Sequence, residues 1–154
     1  MSLASNIAQK LLTEHRSLAS AESCTGGLIA HTLTNICGSS SWFKAGTVAY
    51  ANEIKTRALG VPPPLIKKYG AVSAPVARAM AEGARRKART DYALSTTGIA
   101  GPTGGTATKP VGLVFIAAAS ARRSIVKKCF FKGSRQQIKR QAAEAAMALL
   151  LKLS

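Results

Sequence analysis

Helix-period and strand-type stretches take turns along the whole chain, and that alternation leaves few architectures open. Leu3, Ile7 and Leu11, flanked by Ala4, Ala8 and Leu12, recur at helical spacing and predict an amphipathic helix over 3–15. A short strand of small residues is expected over 17–21, and helical spacing returns over 25–36 through Leu28, Ile29, Leu33 and Ile36, stopped by Gly38. Residues 46–49 read as strand, and Asn52 as the cap of a short helix holding Lys55 and Leu59, ended by Gly60, Pro62, Pro63 and Pro64. Ser73, just before Ala74-Pro75, caps a further helix running to Lys87. Strands are predicted over 92–96, 111–119 and 124–131, the last two antiparallel across the Arg122-Arg123 turn, with a long helix from Ser134 onward. The expected fold class is α/β: a three-layer α/β/α sandwich whose sheet mixes parallel and antiparallel strands and is covered on both faces. With 154 residues, 47% of them hydrophobic, there is core for one domain spanning 1–154.

Charge narrows the chemistry. Lys and Arg number 22 against 6 acidic residues, a net charge of +16, which points to an anionic partner. The carboxylates are Glu14, Glu22, Glu53, Glu82, Asp91 and Glu144, spread too widely along the chain to suggest paired-carboxylate catalysis. His15, His31, Cys24, Cys37 and Cys129 have no metal-ligand spacing, so no metal site is expected. His31, among apolar helix neighbours, reads as structural. Three scattered cysteines do not make a disulfide framework, and no apolar run approaches the roughly 18 residues of a membrane span. The N-terminus lacks a signal-peptide core, so the expectation is a cytoplasmic protein with no membrane contact.

Three segments carry candidate chemistry. In Glu22-Ser23-Cys24-Thr25-Gly26-Gly27 a strand feeds a helix through small residues and hydroxyls, a junction where backbone N–H groups collect and can hold an anion or an oxyanion. Ser23 is then either a nucleophile or, like Thr25, an N-cap; Cys24 is a rival nucleophile or a buried thiol. The only two histidines make a poor base supply, and a lysine kept neutral by burial is the better partner for a serine. Lys55 in Tyr50-Ala51-Asn52-Glu53-Ile54-Lys55, on the next strand-to-helix connection, is either that base or one more solvated cation. The third segment, 97–110, is crowded with glycine, proline and threonine; it matches no P-loop or dinucleotide fingerprint and is either an anion cradle or a flexible turn. Trp42 and Phe43 could stack on a ligand, line an interface or pack in the core.

Taken in order, Glu22-Ser-Cys-Thr-Gly-Gly27, Gly38-Ser-Ser, Tyr50-Ala-Asn-Glu-Ile-Lys55, Leu59-Gly-Val61, Gly70-Ala-Val-Ser73, Thr97-Gly-Ile-Ala-Gly-Pro102 and Lys109-Pro-Val-Gly112 resemble the C-terminal domain family of the competence/damage-inducible CinA proteins. The resemblance covers most of the chain and implies hydrolysis of the carboxamide of nicotinamide mononucleotide to nicotinate mononucleotide and ammonia, without a cofactor. It implies a catalytic dyad of Ser23 and Lys55, with Tyr50 hydrogen-bonding into it and N–H groups around Thr25 and Gly26 holding the oxyanion. Substrate contacts are expected from Cys24, Thr25, Gly26, Gly27, Asn52, Gly98, Gly101, Thr103, Gly104, Gly105 and Thr106. Cys37 stands where the family commonly has proline, and Thr103 where it has aspartate. Partners expected are a phosphorylated nucleotide and further copies of the chain. Rival readings are a nucleic-acid-binding module, using Arg85, Arg86, Lys87, Arg89 and the Arg135, Lys139, Arg140 helix face, and a nucleotide-binding regulator without turnover.

Overall fold

The computed structural model describes residues 1–153. Five strands form one sheet in the order β2-β1-β3-β4-β5: β1 (Leu18–Glu22), β2 (Phe43–Val48), β3 (Tyr92–Gly98), β4 (Leu113–Ser120) and β5 (Ser124–Phe130). β1 pairs in parallel with β2 and β3, whereas β4 runs antiparallel to both β3 and β5. The mixed three-layer sandwich expected from the sequence is the architecture observed.

Successive side chains on a strand point to opposite faces, and this sorts the core. Leu18 of β1, Leu94 of β3 and Val114 and Ile116 of β4 join the apolar faces of α1 (Leu3–Glu14), α2 (Leu28–Thr34) and α6 (Arg135–Leu151). Trp42 belongs to this core and is fully buried. On the other face Ala19, Ala21 and Ala93 meet Leu59 of α3 (Asn52–Leu59) and Val76, Met80 and Ala84 of α5 (Ala74–Ala88). Small strand residues there let α5 settle close to the sheet. Its own Gly83 faces the end of α3 so closely that a Cβ would overlap the Leu59 carbonyl oxygen.

Several boundaries differ from the sequence reading: β2 starts at Phe43 rather than 46, and β4 at Leu113 rather than 111. The prolines do not simply end a helix: Pro63 opens α4 (Pro63–Tyr69), as proline can in a first turn whose N–H groups need no helical partner. Asn52 is the first residue of α3 rather than its cap, which is Ala51 and supplies no side-chain bond. α2 begins at Leu28, not at 25, because Gly26 and Gly27 adopt positive φ (62° and 102°) and spend the preceding residues in a turn. Ser73 caps α5 as expected, its Oγ accepting the Val76 N–H. Among the described residues no helix is long and apolar enough to cross a membrane.

Candidate active site

β1, β2 and β3 are parallel and end on the same edge of the sheet, and their outgoing connections separate: β1 feeds α2 on one face, β2 feeds α3 on the other. A crevice beyond the carboxyl ends of such strands is where open α/β sheets bind ligands. Here it is a cleft of about 280 Å³ lined by residues from four connections, among them Ser23, Cys24, Tyr50, Asn52 and Lys55. Thr97, Gly98, Gly101, Thr103 and Gly104 form its other wall, and Arg135 stands at its rim.

Ser23 directly follows β1, and its backbone is held from both sides. Its N–H donates to the Thr96 carbonyl (3.1 Å), and its carbonyl accepts the Gly26 N–H (3.0 Å). Beneath it lies Glu22, only 1% exposed. One carboxylate oxygen accepts the Thr25 hydroxyl (2.6 Å) and the Ile29 N–H (2.9 Å); the other accepts the Ala30 N–H (3.1 Å). These N–H groups belong to the first turn of α2, where helical donors have no partner of their own, so Glu22 does the work of a cap from inside the sheet. Thr25 has a single hydroxyl proton and gives it to Glu22; the contact to Thr96 Oγ1 (2.8 Å) is therefore donated by Thr96. The serine turn is thus tied to the ends of both β1 and β3.

Lys55 reaches the cleft from the first turns of α3 and is only 2% exposed. Its Nζ donates to the Tyr50 carbonyl (2.9 Å), and no carboxylate pairs with it among the described residues. Burial holds its pKa below the usual 10.5, against weaker upward pulls from Cys24 and Glu53. Lys55 is therefore not a solvated cation. The neighbouring Cys24 moves the other way: burial pushes its thiol up to about 11, leaving it protonated and poorly nucleophilic at neutral pH.

The structure relocates several residues that the sequence put at the site. Tyr50 meets Lys55 through its backbone carbonyl, while its exposed phenol oxygen accepts from Arg135 Nη2 (2.9 Å). The Gly26 N–H is taken by Ser23 itself. Thr25, Gly26 and Gly27 line a separate cleft of about 480 Å³ with His31, Gln136, Lys139 and Arg140. His31, read as structural, is exposed there on α2. Gly105 and Thr106 line neither cleft; Thr106 closes its own turn, its N–H donating to the Lys109 carbonyl (2.8 Å) and its Oγ1 accepting the Lys109 N–H (3.0 Å).

Sequence reasoning puts Arg135 on the helix face of the rival nucleic-acid reading and not at this cleft. It is the first residue of α6, after a capping box in which Ser134 and Gln137 satisfy each other's N–H groups. Its Nη1 donates to the Gly101 carbonyl (2.7 Å) while Nη2 holds Tyr50, so one guanidinium spans two walls of the cleft. The helix start at Ser134 is legible in the sequence; its return to the serine turn, more than a hundred residues away, is not. Ala71 and Val72, just before α5, also line the cleft, with Thr97 Oγ1 donating to the Ala71 carbonyl (2.8 Å).

The model of the CinA C-terminal domain matches residues 1–154. The chain belongs to that family. A relative from Escherichia coli K12 that carries the name nicotinamide-nucleotide amidohydrolase PncC is 45% identical over 151 residues, 97% of this chain and 92% of that protein. A CinA-like protein of Syntrophus aciditrophicus is 52% identical over 91% of this chain, which spans only 34% of that longer relative. Among solved structures, the competence/damage-inducible protein CihA of Agrobacterium tumefaciens superposes with a TM-score of 0.95 at 38% identity, covering 98% of this chain and 93% of that one. A CinA-superfamily protein from Escherichia coli gives the same TM-score at 33% identity over 99% of this chain and 88% of the other. The CinA fold is therefore common to all of them.

Proposed function

We propose that this CinA domain hydrolyses the carboxamide of nicotinamide mononucleotide, giving nicotinate mononucleotide and ammonia. The observation that carries the reading is a buried lysine, displaced toward its neutral form, in one cleft with a serine on a strand-to-helix turn. The near-full-length likeness to a protein named as a nicotinamide-nucleotide amidohydrolase supports the substrate.

In this reading the neutral Lys55 amine donates one N–H to the Tyr50 carbonyl and keeps its lone pair for the Ser23 hydroxyl proton. Ser23 Oγ attacks the carboxamide carbon as Lys55 takes that proton, and the carbonyl oxygen becomes an oxyanion. With the Gly26 N–H occupied, the oxyanion is assigned to the N–H of Cys24, next in the chain to the nucleophile. Collapse breaks the C–N bond, and Lys55 returns its proton to the departing nitrogen as ammonia leaves. Water then attacks the ester on Ser23, Lys55 takes a proton from it, and the serine hydroxyl is regenerated. Arg135 retains N–H donors beyond the two already engaged and offers them, with Asn52, to the substrate phosphate.

Ammonia release from the mononucleotide, its riboside and free nicotinamide tests the reading. Turnover is expected with the mononucleotide and strongly reduced without the phosphate. Ser23→Ala and Lys55→Ala should each lower kcat by about 10²–10⁴ or more, the range attached to nucleophile and base, while Cys24→Ala keeps most activity. A dead Cys24→Ala beside a normal Ser23→Ala would overturn the dyad, and nucleotide binding without turnover would favour a regulator. The same reading takes the protein as a cytoplasmic homo-oligomer, with exposed Val48 and Phe130 as apolar surface for self-association, which sedimentation equilibrium checks.

A further inference from the structure

A mononucleotide carries few charges, and the amidase reading leaves most of the +16 without a purpose. Among the described residues only two ion pairs form, Lys10–Glu14 and Arg16–Asp91. Several arginines nevertheless collect at one end of the sheet. β1 and β3 begin, and β4 ends, at the edge of the sheet opposite the serine cleft, where α1 and α5 also finish. At this edge a cleft of about 440 Å³ is lined by Arg16, Arg85, Arg122 and Arg123, with Asp91 the one acidic residue among them.

The arginines come from three separate places: the connection just after α1, the last turn of α5, and two adjacent positions in the β4–β5 turn. A helix C-terminus attracts cations, which accounts for Arg85 and for Arg16 just past α1, but not for Arg122 or Arg123. Arg16 is paired with Asp91 (3.0 Å), but the local bonds of the other three leave their charge in place. Arg85 donates to the Thr90 carbonyl (3.4 Å) and Arg123 to the Leu153 carbonyl (2.8 Å), both neutral acceptors, and Arg122 is exposed. Exposed Arg86 and Arg89 extend the field beyond the cleft along the end of α5, giving a surface longer than one small anion needs.

We propose that this arginine-lined pole docks the sugar–phosphate backbone of duplex DNA without reading its bases. Phosphate contacts from Arg need no base-reading element, and the pole presents none. Single strands are bound through stacking on open aromatic faces. The cleft's one aromatic, Tyr92, has its hydroxyl on Glu14 (3.1 Å) and the Lys10 ammonium 5.5 Å from its ring centroid, so its surroundings are already occupied. Duplex backbone is the polyanion that fits. This inference is independent of the amidase reading and uses the opposite end of the molecule.

The test is fluorescence anisotropy of the intact chain with a labelled duplex of arbitrary sequence, about 20 base pairs long, across a series of salt concentrations. Binding is expected at low salt and should fall steeply as salt rises, with a slope near 0.9 for each phosphate contact. Arg89→Asn combined with Arg122→Ser should weaken binding on the order of tens-fold near 0.1 M salt and flatten the slope by roughly two contacts. Asparagine suits position 89, whose φ is 56°. Lys67→Ser with Lys68→Ser removes the same charge from exposed positions on α4 and should cost little. Unchanged thermal unfolding midpoints show that both variants fold. Absent or salt-insensitive binding, equal loss in the two double variants, or preference for a single strand or for phosphatidylserine vesicles would each overturn the proposal.

Discussion

An amine enclosed as tightly as that of Lys55 holds its proton less firmly than one in water, and this makes two measurements informative. Catalysis needs the neutral form, so kcat/KM should rise with pH through an apparent pKa below 10.5; a limb at or above that value would remove Lys55 as the base. Stability follows the same sign. Between the lowered folded value and 10.5 the unfolded chain binds the proton and the folded chain does not, so stability rises with pH there. Below the folded value the full burial penalty applies. Lys55→Met should therefore be inactive yet gain stability relative to the parent as pH falls, measured by urea unfolding on both sides of that window. Glu22 is a positioning residue whose carboxylate accepts from three donors. Removing it as Glu22→Ala strands those donors and should cost about 2–4 kcal/mol in urea unfolding. Glu22→Gln should fold and bind substrate with little change in KM, but turn over more slowly, because the serine turn loses its charge-assisted bonds.

At the scale of the elements, the site is an accident of no single segment but a meeting of helix and strand ends. α6 contributes through its first residue, and that residue stands on a capping box. Ser134→Ala should cost about 1 kcal/mol of stability and loosen Arg135, raising KM for the phosphorylated substrate more than it lowers kcat. The packing of α3 on α5 depends on Gly83, whose missing Cβ leaves room for the Leu59 carbonyl. Gly83→Ala must push the two helices apart, and α3 carries Lys55. A loss of about 1–3 kcal/mol or more in urea unfolding is expected, with activity falling further than stability does. Most elements were legible because their signals are local: apolar period, a serine cap, a glycine stop. The start of α2 was not, since the side chain that satisfies its first N–H groups is Glu22, reaching back from the preceding strand. A sequence shows the donors that need a partner without showing which distant oxygen serves them.

The molecule as a whole holds its cations with little local compensation, so its folded state carries a repulsion that salt screens. Its thermal midpoint should climb between low salt and about 0.15 M; a flat or falling curve would mean that the charges are spaced widely enough not to matter. From the order of residues alone came the layered fold, a serine at a strand-to-helix turn and a lysine on the following connection, because each is written in short-range pattern. Chain order could not say that Lys55 is enclosed, that Cys24 is held as a thiol, that the Tyr50 phenol turns to Arg135, or that arginines from three places gather at one pole. Those are matters of which surfaces the packed sheet brings together. Burial and charge act through space, and distance through space is settled only when the chain has folded.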